Sequence, residues 1–207
     1  MISIQQLLLF LFFVLWCFFH SSFISNQFIH YIKPKLGKHF KAYRLLYNLF
    51  SLITFLALLW YSYSLKSAVI FNWSGYFQIL HIILLLVCFF LFFAGSLAYD
   101  IKSFLGFRQI KQKEHRKGMS NDGKISTTGI LGIIRHPWYT ATFLLIWARN
   151  WNVNTLIINI ILSIYLVIGC YLEEKKLVLE YGEGYQNYQK NVSMLFPWKW
   201  LQMKLNR

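Results

Sequence analysis

MISIQQLLLFLFFVLWCFFHSSFI, residues 1–24, contains no Asp, Glu, Lys or Arg. A helix rising about 1.5 Å per residue needs about 20 mostly apolar residues to cross the ~30 Å hydrocarbon core of a bilayer. The stretch is longer than the apolar region of a secretory signal, lacks a basic segment before it, and shows no small-residue cleavage site. It reads as a retained transmembrane helix. Composition agrees: 57% of the 207 residues are hydrophobic, 20% are aromatic and only 14% are charged, against about 25% charged in an ordinary soluble domain.

Working outward, three further runs match this length and polarity, at 45–65, 77–99 and 153–172. A fifth, 129–149, is long enough but carries Arg135, His136 and Pro137. A helix starting at Pro137 would be short for a span, and irregular backbone at membrane depth persists only where it is buried in protein or lines a cavity. The expectation is one all-α integral membrane domain over 1–207, with about five transmembrane helices and a C-terminal amphipathic cytoplasmic segment. Lys33–Arg44, Lys102–Arg135 and Lys175–Arg207 hold nearly all the basic residues, whereas the alternate loops hold only Lys66 and Arg149. The positive-inside rule therefore puts the N-terminus outside and the C-terminus in the cytoplasm, as for a multi-pass protein of a bacterial inner membrane.

The formal charge of +14 belongs to these loops, where it meets anionic lipid headgroups. No nucleic-acid-binding motif accompanies it, so no nucleic-acid partner is expected. Cys17, Cys88 and Cys170 lie in apolar runs without C-x-x-C or framework spacing, which gives no reason to expect a disulfide or a metal. Gly118–Gly129 reads as a long polar loop.

Arg135-His136-Pro137-Trp138-Tyr139 carries the chemistry. Ionisable groups at the start of an apolar segment mark a functional site, because hydrocarbon cannot solvate them. With the topology above, Glu173 and Glu174 reach the same face at the end of the last span, as does His20 from the first. Leu177, Tyr181, Tyr185, Tyr188 and Val192 recur at helical spacing, with a break expected at Gly182 and Gly184. That stripe suits either a helix lying on the membrane or a cap folded over the polar groups.

The C-terminal half resembles the membrane methyltransferases that include isoprenylcysteine carboxyl methyltransferase and bacterial phospholipid N-methyltransferases. The matching residues are Thr128-Gly129-Ile130, Arg135 to Tyr139, Glu173-Glu174-x-x-Leu177, Tyr181-Gly182-x-x-Tyr185-x-x-Tyr188 and Pro197. His20-Ser21, Tyr43-Arg44-Leu45-Leu46-Tyr47-Asn48 and Phe104-Leu105-Gly106-Phe107-Arg108-Gln109 narrow the likeness to the subgroup of methanethiol S-methyltransferases and denitrification-associated membrane proteins. The resemblance implies S-adenosyl-L-methionine as methyl donor, with Gln109, His136, Pro137, Trp138, Tyr139, Glu173 and Glu174 around it. It implies a small thiol such as methanethiol as acceptor, with a phospholipid or prenylcysteine as the alternative substrate and a non-enzymatic role in nitrogen-oxide reduction as the alternative function. Prenylcysteine enzymes carry Arg four residues before the first Glu, where this chain has Gly169.

These residue types suit the donor. A carboxylate matches its ammonium, a His or Arg matches its carboxyl group, and aromatic faces hold adenine and sulfonium. Arg135 and His20 are the candidates for stabilising a thiolate.

Overall fold

The computed structural model of the chain describes residues 3–111 and 126–206. Helices dominate. Among the described residues the named strands are one antiparallel pair, β1 (Val69–Phe71) with β2 (Trp151–Asn152). Ser3 and Gln6 form a capping box that starts α1 (Ile4–Ile24). Ser25 then caps α2 (Asn26–Leu36), which passes through a 3-10 turn at Gly37–Ala42 into α3 (Tyr43–Ser64). After β1 come α4 (Phe77–Ala98), α5 (Ile101–Leu105), α6 (Phe107–Lys111), α7 (Pro137–Trp147), β2, α8 (Val153–Tyr181), α9 (Glu183–Asn191) and α10 (Trp198–Leu205).

Four helical stretches are long and apolar enough to cross a membrane: Ile4–Ile24, Asn26–Ser64, Phe77–Ala98 and Val153–Tyr181. Their apolar side chains are mostly exposed; α4 buries only Cys88, Leu91 and Gly95. That inverts the soluble pattern, as expected where hydrocarbon is the solvent. The protein is an all-α integral membrane protein.

The fifth segment is broken. Gly129–Gly132 forms a 3-10 turn, His136 is non-helical at φ −125° and ψ 67°, and α7 begins at Pro137. Proline disfavours helix at the residue before it but fits the first helical position. The 11 residues of α7 therefore reach only about 16 Å, roughly half the hydrocarbon thickness. The last long helix, conversely, runs past Leu172 to Tyr181, so Glu173 and Glu174 sit within it rather than after it. It ends before Gly182, at φ 58° and ψ −135°. The polar stretch at 118–129 lies mostly outside the described residues.

The chain forms two compact units. The first contains α1 to α3, β1, α5, α6, β2 and residues 153–161 of α8; the second contains α4, α7, residues 162–181 of α8, α9 and α10. In the first, Asn154 is buried, accepts from Gln6 and donates to the Ser62 and Leu65 carbonyls, tying α8 to α1 and α3. In the second, α4 packs on α7 around Leu91, Ile134 and Ala141.

Candidate active site

Proline at 137 builds the centre of the second unit. Because residues 134–136 are not helical, their backbone donors turn to the segment after α9. Arg135 N–H donates to Ser193 O at 2.9 Å and His136 N–H to Met194 O at 3.1 Å, beside a parallel bridge between Ile134 and Ser193. Thr140, one turn into α7, adds its hydroxyl to Leu195 O at 2.8 Å. Residues 182–195 thus form a strap over the start of α7.

The aromatic stripe faces inward. Tyr185, Tyr188 and Val192 are buried together against Leu177, Val178 and Tyr181. Of the two arrangements the stripe allows, the cap is the one adopted. Tyr188 donates its hydroxyl to Leu131 O at 2.5 Å. Burial pushes its phenol up to about 12, so that proton stays in place across the physiological range.

Under the strap lies a buried ionic cluster. Arg135 Nε–H donates to Glu174 Oε1 at 2.6 Å, and His136 Nε2 lies 3.1 Å from the same oxygen. Gln189 Nε2–H donates to Glu174 Oε2 at 2.9 Å. A carboxylate only accepts, so His136 carries its proton on Nε2. The Arg135 guanidinium also donates to Gln189 O, at 3.1 Å, and to Val192 O. The Arg135 and Glu174 side chains are 7% and 9% exposed. These hydrogen bonds among the described residues clamp the guanidinium between Glu174 and the strap carbonyls. Glu174 is likewise saturated.

Glu173 differs. Its side chain is 26% exposed, and its Oε2 lies 3.9 Å from His136 Nδ1. Since Arg135 offsets Glu174, Glu173 leaves the cluster one negative charge in excess when His136 is neutral. Around it stand aromatic rings: Tyr139 edge-on to His136 at 5.4 Å between centroids, and Trp138 edge-on to Tyr99 at 4.9 Å. Trp138 donates Nε1–H to Phe92 O at 3.1 Å and fits only because residue 95 is glycine; a Cβ there would meet its ring at 2.5 Å. At Gly169 a Cβ would lie 3.3 Å from Tyr139 Cε1. The Tyr139 ring therefore takes the space beside the position where prenylcysteine enzymes carry Arg.

His20 and Gln109 belong to the first unit. Tyr47 O–H donates to His20 O at 2.9 Å and lies 2.9 Å from His20 Nδ1. Trp16 stacks on the imidazole at 4.7 Å. Arg44 and Asn48 donate to Phe104 O, Asn48 also reaches Leu105 O, and a Cβ at Gly106 would fall 2.7 Å from Leu45 N. The stretches around His20, Tyr43–Asn48 and Phe104–Gln109 thus pack on one another. Gln109 Nε2–H donates to Ser103 O, and its buried Oε1 has no partner among the described residues.

The structure thus joins Arg135, His136, Glu173 and Glu174 in one cluster, with Pro137, Trp138 and Tyr139 at its edge. Gln189, Tyr99 and Lys199 escape a reading of the sequence. Gln189 had a signal, as a polar residue beside Tyr188 in the aromatic stripe. Lys199, which donates from Nζ to Gln189 O at 2.7 Å, had none.

The family model described as NnrU protein matches residues 8–180. A methanethiol S-methyltransferase of Pseudomonas deceptionensis is 44% identical over 77 residues, covering 37% of this chain and 29% of that protein. One from Crocosphaera subtropica is 37% identical over 75 residues, 36% of this chain and 29% of the relative. Methanethiol S-methyltransferase 1 of Bradyrhizobium diazoefficiens is 31% identical over 77 residues, 37% and 27% of the two chains. The matched stretches therefore span under a third of the length of these relatives. No solved structure matches the chain.

Proposed function

The chain belongs to the NnrU protein family, and from that premise we propose that it is an integral membrane methyltransferase using S-adenosylmethionine. Its acceptor in this reading is a small thiol such as methanethiol. The observation that carries the reading is the division of labour between the paired acids: Glu174 is saturated by Arg135, His136 and Gln189, whereas Glu173 remains partly exposed beside aromatic rings.

The residue types fit the donor. Glu173 supplies the carboxylate for its ammonium, and the net negative cluster favours a ligand with cationic ammonium and sulfonium groups. Tyr139, Trp138 and Tyr99 offer ring faces, each worth roughly 0.5–2 kcal/mol against a cation. When bound, the donor supplies an electrophilic methyl on a sulfonium, so the acceptor needs alignment and exclusion of water more than strong base catalysis. Arg135, fixed on Glu174 and the strap carbonyls, positions the cluster. With donor and thiol bound, the methyl would pass from the sulfonium to the thiol sulfur: the new carbon–sulfur bond would replace the sulfonium's, both sulfurs would end as neutral thioethers, and the thiol proton would be released to water.

Tyr139 beside Gly169 favours a small acceptor over a prenylcysteine carboxylate, since no cation stands at 169. The C-terminus is assigned to the cytoplasm of a bacterial inner membrane, where the donor is available. Membrane vesicles containing the chain, given donor and methanethiol, should release dimethyl sulfide into the headspace. Vesicles that bind donor but release no thioether above control would overturn the thiol assignment. Vesicles that bind no donor would point to a non-enzymatic role.

A further inference from the structure

The segment after the strap has a chemistry that the donor centre does not use. No residue of α10 is buried. Trp198, Leu201 and Leu205 recur at i, i+3 and i+7, the spacing of one helical stripe. Trp198 is 60% and Leu205 83% exposed. Lys204 Nζ lies 5.9 Å from the Trp200 ring centroid, and the sequence contains no Asp or Glu after Glu183. The other lysine points back into the fold. Lys199 Nζ donates to Gln189 O at 2.7 Å and to Lys190 O at 2.9 Å, and its backbone N–H donates to Ser193 Oγ at 2.9 Å. The Gln189 carbonyl also accepts from Arg135.

We propose that α10 lies in the headgroup interface of an anionic bilayer, and that this contact holds the strap over the ionic cluster. The bilayer is chosen over a protein partner on charge and composition. Indole rings beside lysines suit a surface that is apolar below and negatively charged above, where the lysine stem snorkels. The chain already crosses that bilayer. Lys199 transmits the contact, because it ties α10 to the carbonyls at the end of α9, whose Gln189 side chain holds Glu174. The proposal stands apart from the methyltransferase reading and is tested without activity.

The experiment is site-directed spin labelling of the full chain at Leu205→Cys, with Met203→Cys on the opposite face of α10 as the control. Cys17, Cys88 and Cys170 are buried and do not compete for the label. The protein is placed in nanodiscs of phosphatidylcholine, alone or mixed with phosphatidylglycerol. Label accessibility to oxygen and to a water-soluble nickel chelate is then compared. In the anionic discs, oxygen access should exceed nickel access at residue 205 but not at residue 203, and Lys204→Gln should lower the docked-to-free ratio roughly fivefold, the effect of one lysine at such a surface. A label at residue 205 exposed to water in both discs would overturn the proposal and leave the face to a protein partner. Equal immersion in both discs would overturn the role of anionic lipid.

Discussion

Removing the Glu174 carboxylate should loosen the strap before it affects anything else. Glu174 accepts from Arg135 at 2.6 Å, from Gln189 at 2.9 Å, and pairs with His136 at 3.1 Å, all with little solvent access. In Glu174→Ala, Arg135 keeps its two carbonyl partners but loses its counter-charge, and Gln189 and His136 lose their acceptor. Truncating one member of a buried ion pair costs about 3–5 kcal/mol, most of it from the charge left unpaired. At roughly 2–4 °C per kcal/mol for a chain of this size, the melting temperature in detergent should fall by about 10 °C. Arg135→Ala should cost a similar amount. The double variant should be less destabilised than the sum, with a coupling of roughly 0.5–3 kcal/mol. A Glu174→Ala shift within scatter of wild type, or strictly additive singles, would refute the clamp.

Two further substitutions test how the elements are held. Gly95→Ala places a Cβ 2.5 Å from Trp138 Cδ1, so the indole must move and its bond to Phe92 O lengthen. A loss of about 2–4 kcal/mol from overpacking and the lost bond, with a shifted tryptophan emission, is expected in melting and fluorescence scans. Gly182→Ala meets no atom within 4 Å, so its cost is purely that of a φ of 58° with ψ −135°, about 1–3 kcal/mol. Limited proteolysis should then cut faster between α8 and α9, while an unchanged rate would show that this turn does not set the strap.

How much was legible in the sequence depended on the solvent. Long apolar runs declare themselves, so α1, α4 and much of α3 and α8 follow from hydropathy alone. Pro137 marked the 129–149 run as irregular but left the helix start open, and the structure begins α7 at Pro137. The helical spacing of Leu177 and Tyr181 and the break at Gly182 were legible too, but not that this helix is continuous with the span as α8, because that depends on packing Leu177, Val178 and Tyr181 against the strap. Arg135 and Glu174 were visible as costly charges, but not that each exhausts the other. That pairing requires α9 to fold back and bring Gln189 and Val192 beside them, a contact made across more than 50 residues of chain. Trp138 against Gly95 was equally hidden, since neither residue carries a signal for the other.

In the proposed function the second unit binds S-adenosylmethionine through Glu173. The most direct measurement is equilibrium binding of labelled donor to the purified full chain, wild type against Glu173→Gln. Glu173 does not hold the strap, so the variant should melt within about 0.5 kcal/mol of wild type. Loss of one charge-assisted hydrogen bond, about 1.5–3 kcal/mol, predicts a Kd weaker by roughly 10- to 150-fold. Equal affinity in the two proteins would rule out Glu173 as the donor's anchor, and no donor binding by the wild type would rule out the donor site.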